Sequence, residues 1–232
     1  MDGILLVDKP PGITSYGVVD RLKKKFGLAK VGHGGSLDPM ATGLLILLIG
    51  KATKKAGRIL EGDKEYEAEI LLGRVTDTQD ISGKVLKENR VVKIKIGDLE
   101  KVLQGFRGDI EQIPPMVSAL KYRGKRLYRL AREGREVPRR PRPVSIKNLK
   151  LTAFRPPYLE LKILCSKGTY IRTLAHDLGE ALGMGACLSA LKRTAVGNFR
   201  LDRARPLSEL LSGSRGELEG KLIRTVPREM TA

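Results

Sequence analysis

Apolar residues change their spacing several times along this chain, and each change predicts an element. Residues 3–7 are a short apolar run suited to a strand. From Ser15, a residue type that caps helices, Val18, Val19, Leu22 and Phe26 recur on one face, so residues 15–26 should form an amphipathic helix. A glycine-rich loop follows. Residues 43–49 are continuously apolar, as in a buried strand, and residues 51–60 read as a short helix closed by Gly62. Tyr66, Ala68, Ile70 and Leu72 then alternate with Glu65, Glu67 and Glu69, the period of a half-buried strand.

Residues 76–83 are rich in turn formers, and residues 96–103 read as a helix. Ile113-Pro114-Pro115 stops regular structure, and residues 126–132 predict a helix with Leu127, Leu130 and Ala131 inward. Leu159, Leu161 and Ile163 alternate in a strand over residues 158–165. A helix over 170–182 should end at Gly183, and a strand over 186–199 completes the pattern. Residues 212–232 mix Gly, Ser and charge and are expected to be a loosely packed tail. No internal repeat is visible. Helices and alternating strands interleave irregularly, so the expected class is α+β, a mixed α/β arrangement with a mostly antiparallel central sheet flanked by helices.

Length and composition allow a well-packed core: 232 residues with 41% hydrophobic content, expected as a single domain. Charge changes the picture more. Lys and Arg number 44 against 26 Asp and Glu, a net +18. Residues 121–150 hold twelve basic and two acidic residues, net +10, and Pro138, Pro141 and Pro143 keep part of this strip extended. Such a concentrated strip suits a phosphate backbone, with Arg126, Arg139, Arg140 and Arg142 as expected contacts. Aromatic content is only 4%, which favours a shaped, folded RNA over a stacked single strand. The longest apolar run, residues 44–49, is far shorter than the roughly 18 residues that span a bilayer, and the opening residues lack the basic region and apolar length expected of a signal peptide. A cytoplasmic protein without membrane partners is expected. Cys165 and Cys187 should be buried thiols, and with His33 and His176 they form no cluster for zinc, so neither metal nor disulfide is expected.

Three nucleotide or hydrolase motifs fail. Near Gly50-Lys51-Ala52-Thr53, position 45 is Leu where a phosphate loop needs Gly, and Ala52 stands where Ser or Thr binds magnesium. Gly183-Met184-Gly185 is followed by Leu188 where a dinucleotide fingerprint needs a small residue. No G-x-S-x-G surrounds Ser36. What remains is Asp38, a carboxylate inside the glycine-rich loop of a strongly basic chain. A surface for a polyanion gains nothing from a central negative charge, so Asp38 is read as a nucleophile.

Several separated stretches, taken in order, resemble the TruB-type pseudouridine synthases. They are Asp8-Lys9-Pro10-Pro11-Gly12-Ile13-Thr14-Ser15, then Gly32-His33 through Leu37-Asp38-Pro39 and Ala41-Thr42-Gly43, then Lys64-Glu65-Tyr66. Gly168-Thr169-Tyr170-Ile171-Arg172-Thr173-Leu174 and Leu191-Lys192-Arg193-Thr194 complete the set. The resemblance implies the pseudouridine synthase fold and isomerisation, without a cofactor, of the T-loop uridine at position 55 of tRNA. It implies that Asp38 is the catalytic aspartate, that Tyr66 stacks on a flipped base, that Tyr170 and Arg172 complete the pocket and that Leu191 packs against it. The resemblance implies that His33 enters the RNA loop vacated by the flipped uridine, the alternative being a hydrogen bond to the neighbouring glycine backbone. Lys9, with Pro10, should brace the loop, and Lys9 and Arg193 are counted with the substrate-binding residues.

Elementary chemistry makes these roles reasonable. A uridine in a folded loop must be extruded before its glycosidic bond can be reached, and an aromatic and apolar pocket offsets the lost stacking. Detaching the base and rejoining it through carbon calls for an ionised carboxylate near the sugar. Burial disfavours that charge unless a cation holds it, so an Asp38–Arg172 ion pair is expected. Tyr170 could help remove the C5 proton directly or by relay. Two departures from the family stand out. Gly34 takes a place commonly filled by a hydroxyl residue, and no C-terminal PUA domain is expected after the catalytic segment, so residues 121–150 are expected to carry a larger share of the tRNA affinity. A monomer with no obligate protein partner is expected. The alternatives are a guide-RNA-dependent relative and a non-catalytic RNA-binding chaperone.

Overall fold

A computed structural model describes residues 1–224. Strand β1 (Gly3–Lys9) leads into helix α1 (Ser15–Phe26), whose Val18, Val19, Leu22 and Phe26 are buried as their spacing requires. The cap is Thr14 rather than Ser15: Thr14 Oγ1 accepts from Gly17 N, which frees the Ser15 hydroxyl for a partner elsewhere. Strands β2 (Val31–His33) and β3 (Thr42–Ile49) flank the glycine-rich loop. The expected helix over 51–60 is split into a 3-10 segment, Gly50–Lys55, and α2 (Ala56–Glu61). Gly62 follows without a left-handed turn, and a side chain there would press on Gly197.

Strand β4 (Lys64–Leu72) buries Tyr66, Ala68, Ile70 and Leu72 in strict alternation, and the hairpin β5 (Arg74–Thr76) and β6 (Val85–Glu88) encloses the turn-rich stretch. Helix α3 (Ile96–Gln104) precedes β7 (Gly108–Gln112). A small hairpin, β8 (Lys121–Tyr122) and β9 (Lys125–Arg126), turns through Arg123 and Gly124 at φ 46° and 83° and leads into α4 (Leu127–Arg132). The long β10 (Arg142–Arg155), β11 (Tyr158–Cys165) and α5 (Ile171–Ala181) follow, with Gly183 at φ 70° just beyond the helix. The expected strand over 186–199 is two strands, β12 (Ala186–Val196) and β13 (Phe199–Arg200), because Gly197 at φ 52° folds the chain back.

The tail expectation fails for its described part. After β14 (Arg205–Pro206) come α6 (Leu207–Ser212) and α7 (Arg215–Gly220), the latter held by a capping box between Ser214 and Glu217. Leu210 and Leu218 are buried, and Ile223 pairs with Ile4 at the edge of β1. Residues 225–232 lie outside the described residues.

The chain divides into two compact units, one made of residues 1–67 with residues from 191 onward, the other of residues 68–190. In the first, β3 lies antiparallel to β1 and β2 and parallel to β12, while β14 runs parallel to β1. Ile4, Leu6, Leu44, Ile46, Leu48, Ala52, Ile59, Val196 and Phe199 form its core. In the second, β11, β10 and β7 follow one another in antiparallel order. Cys165 and Cys187 are buried thiols, and burial pushes the Cys187 thiol up to about 11. Among the described residues no helix is long and apolar enough to cross a membrane.

Candidate active site

Asp38 is half-buried in the loop between β2 and β3. That loop is fastened from several sides. Gly34 N donates to Ile46 O at 2.8 Å, Gly12 N to Pro39 O at 2.8 Å, and Ala41 N to Asp38 O at 3.1 Å. The Ser15 hydroxyl, free because Thr14 does the capping, donates to Leu37 O at 3.1 Å and accepts from Leu37 N at 2.8 Å. The residue before Asp38 is thereby tied to the first turn of α1.

Two buried cations complete the brace. Lys9, at the end of β1 and 0% exposed, donates to Pro10 O, Ile13 O and Pro39 O at 2.8, 2.8 and 3.2 Å. Arg193, on β12 and 1% exposed, donates to Leu44 O at 2.8 Å, Ser36 O at 3.3 Å and Gly35 O at 3.1 Å. A buried charge is tolerated only when its donors are satisfied, and here backbone carbonyls do that. Burial pushes the Lys9 ammonium down to about 8, against the pull of Asp38, with Arg193 adding to the fall. Gly43 sits against the Arg193 backbone at φ 92°, so only glycine fits that crossing. Lys9 and Arg193, counted with the substrate-binding residues from sequence, thus have their hydrogen bonds in the scaffold of the loop.

Tyr66 on β4 and Leu191 on β12 are both buried, and the Leu191 carbonyl accepts from Thr42 Oγ1 at 3.3 Å. His33, on β2, has its Nδ1 buried without a hydrogen-bond partner among the described residues. Burial first, and Arg193 second, lower its pKa, so the imidazole is neutral at neutral pH.

The second unit holds Tyr170 and Arg172. Gln112, at the end of β7, clamps the Tyr170 backbone from both sides: its Oε1 accepts from Tyr170 N at 2.9 Å and its Nε2 donates to Tyr170 O at 3.1 Å. Arg172, in the first turn of α5, is buried and donates to Thr78 O at 2.9 Å and Val117 O at 2.8 Å. Its Nη1 lies 3.8 Å from Asp80, a buried carboxylate that also accepts from Thr78 Oγ1, Ser82 N and Ser82 Oγ. Gln79, with φ 63°, sits between these partners and accepts from Thr173 Oγ1 at 2.9 Å. Asp80 and Gln112 were not singled out from sequence. Neither carries a signal beyond lying in a turn-rich stretch or just before the Pro114-Pro115 stop.

The basic strip has more structure than its prolines suggest. Leu127, Leu130 and Val137 form a small core with Met116, Leu120 and Tyr122, and Ala131 is only partly buried. Arg126, Arg140 and Arg142 are exposed, although Arg126 also donates to Ala119 O at 2.7 Å. Arg139 is partly buried, donating to Pro114 O at 3.1 Å and to Glu136 at 2.7 Å. A second basic stretch escaped the reading by elements. Residues 21–60 carry nine basic residues against Asp38 alone, net +8, which accounts for the rest of the +18. Lys30, Lys51, Lys54 and Lys55 are exposed, and Gly50 N donates to Lys30 O at 2.9 Å, which joins two of these segments beside β2. Summing charge in windows along the whole chain reveals it.

Comparison with known proteins agrees with the motif order. Residues 23–171 match the N-terminal domain of the TruB family of pseudouridylate synthases, and residues 172–226 match the tRNA pseudouridylate synthase B C-terminal domain. The tRNA pseudouridine synthase B of Opitutus terrae is 48% identical over 223 residues, covering 96% of this chain and 92% of that protein. That of Symbiobacterium thermophilum is 50% identical over 216 residues, covering 92% of this chain and 72% of that protein. Among solved structures, a chain of a Cbf5-Nop10-Gar1 complex superposes with a TM-score of 0.72 at 31% identity. That match covers 90% of this chain and 54% of the solved one, so this chain spans about half of its length. The fold expected from the motifs is therefore the observed one, and the chain belongs to the TruB family of pseudouridylate synthases.

Proposed function

We propose that the protein converts uridine to pseudouridine in the T-loop of tRNA, at the position 55 implied by the motifs, with Asp38 as the carboxylate acting at the ribose. The family assignment and the tRNA pseudouridine synthase B names of its relatives support the activity. The observation that carries the role of Asp38 is the loop around it, held by two buried cations whose hydrogen bonds go to backbone carbonyls. Such a loop presents one carboxylate in a fixed position within a positive field, which is what a preorganised site needs.

The reaction balances without any oxidant or reductant. The C1′–N1 bond breaks, the base turns, a C1′–C5 bond forms, C5 loses a proton and N1 gains one. In this reading Tyr66 stacks on the extruded base, Leu191 forms an apolar wall and Tyr170 relays the C5 proton. Arg172 is the cation this reading assigns to keeping Asp38 ionised. His33, neutral and short of a partner for Nδ1, enters the RNA loop left by the uridine. Arg126, Arg140 and Arg142 hold phosphates, with Arg139 organising the strip, and the lysines beside β2 form a second phosphate surface. The enzyme works in the cytoplasm as a monomer without a guide RNA.

Incubating purified protein with an unmodified tRNA transcript and mapping pseudouridine tests the reading. One modified T-loop uridine is the expected product. Absence of product on the bare transcript, with activity restored by a guide RNA or partner protein, would overturn it.

A further inference from the structure

Gly34 and Gly35 open the Asp38 loop, and they are glycine for different reasons. Gly35 has φ 113°, a backbone conformation that side chains rarely adopt. Gly34 has no such backbone requirement, since its φ lies outside the positive range. It lacks space instead. A Cβ at Gly34 would stand 2.6 Å from Cγ2 of Ile59, 3.4 Å from Cβ of Ile59 and 3.6 Å from Cβ of Ile46.

Neither side of that contact can yield easily. Ile59 is 0% exposed, lies on α2 and packs into the core with Leu44, Ile46 and Leu48. It is β-branched, so its Cγ2 methyl is attached directly to Cβ and has essentially one position in a helix. The loop is pinned as well, through Gly34 N on Ile46 O and through Arg193 on the carbonyls of Gly35 and Ser36. The Cγ2 methyl of Ile59 thus fills the place where a side chain at position 34 would go, and it bears on the loop four residues before the carboxylate.

We infer that Ile59 is a positioning residue for Asp38. Its Cβ methyl sets where the loop begins, and positions 34 and 59 are exchangeable only as a pair. The inference rests on Asp38 being the catalytic carboxylate. Displacing a reacting group by about 1 Å lowers a rate by as much as about 100-fold, so the effect belongs in the chemical step and not in tRNA affinity.

The test is single-turnover pseudouridine formation on tRNA transcript, with tRNA Kd and melting temperature measured alongside. Gly34→Ala is expected to slow the chemical step by about 10- to 100-fold while Kd stays within about twofold. Gly34→Ala with Ile59→Leu, which keeps the volume but moves the branch off Cβ, should recover most of the rate. Gly34→Ala with Ile59→Val, which keeps the Cβ methyl, should not. Should Gly34→Ala fail to fold, the same contrast in folding and rate between the Leu and Val double variants decides the matter. A Gly34→Ala enzyme with wild-type rate, or equal rescue by Leu and Val, would overturn the inference. The wild type and Asp38→Asn in the same assay keep the two claims apart. An inactive wild type sinks the proposed function, whereas an active wild type with no Leu–Val contrast sinks only the role of Ile59.

Discussion

The Asp38 loop and the basic strip over 121–142 are both rich in cations, and they use them in opposite ways. In the loop, Lys9 and Arg193 are buried and their donors are committed to six backbone carbonyls, those of Pro10, Ile13, Pro39, Leu44, Ser36 and Gly35. In the strip, Arg140 and Arg142 stand in solvent. A committed cation fixes geometry and adds a field that salt screens little. An exposed one holds a phosphate and competes with every ion in the buffer. The first arrangement suits chemistry, the second capture.

Substitutions can break this contrast, starting with the carboxylate itself. Asp38→Asn should lower single-turnover pseudouridine formation by about 10,000-fold or more, the scale seen when one catalytic group is removed, while tRNA affinity stays within about twofold. A rate near wild type would take Asp38 out of the mechanism.

Lys9→Met comes next. It removes the donor from three carbonyls but also removes a buried charge, so unfolding free energy should change by less than about 2 kcal/mol while the rate falls about 100-fold. The same pair gives a pH signature. The folded protein releases the Lys9 proton near 8 whereas the unfolded chain holds it to 10.5, so between these values the unfolded state binds more protons. Wild type should therefore gain stability relative to Lys9→Met as pH rises through that window in urea titrations. A flat difference would mean that the Lys9 charge is not desolvated.

On the capture side, Arg140→Ala with Arg142→Ala should weaken tRNA binding about tenfold at moderate salt and lower the slope of log K against log salt by about 2. Replacing Lys51, Lys54 and Lys55 with Ala should lower that slope by about 3, and the chemical step at saturating tRNA should hold in both cases. An unchanged slope would reduce either surface to solvated charge. The smallest effect belongs to Thr14→Ala, which removes the cap of α1. It should destabilise the protein by about 1 kcal/mol and leave the rate alone, whereas Ser15→Ala, one residue on, should slow the reaction severalfold. Equal behaviour of the two would erase the distinction between a helix cap and a loop tie.

Much of the fold was legible because burial repeats at the period of the backbone. The alternation at Tyr66, Ala68, Ile70 and Leu72 and the helical face of Val18, Val19, Leu22 and Phe26 survive intact. Strand β10 was not legible. Its buried Val144, Ile146 and Leu149 lose step because register shifts occur between Ile146 and Asn148 and again between Leu151 and Ala153. An inserted residue flips the side chains that follow, so the period-two signal cancels over the full strand. The short β7 was missed too, having one buried residue, Gln112, with no apolar side chain beside it except Ile110. For the candidate residues, motif order singled out Asp38, Tyr66, Tyr170 and Arg172, and their catalytic roles are a proposal. What it could not supply was commitment: nothing in a sequence distinguishes a lysine destined for burial on three carbonyls from one destined for water, and Asp80 gains its meaning only beside Arg172.

The discontinuity of the first unit orders events during synthesis. Residues 1–67 emerge from the ribosome long before residues 191–196, and the whole second unit is made in between. Until Arg193 arrives, the carbonyls of Gly35, Ser36 and Leu44 lack its guanidinium, and the Asp38 loop is short of one of its two cationic anchors. On the proposed reading, a nascent chain exposes its lysines before its Asp38 loop is fully held, and the loop is completed only when the strand carrying Arg193 docks beside β3.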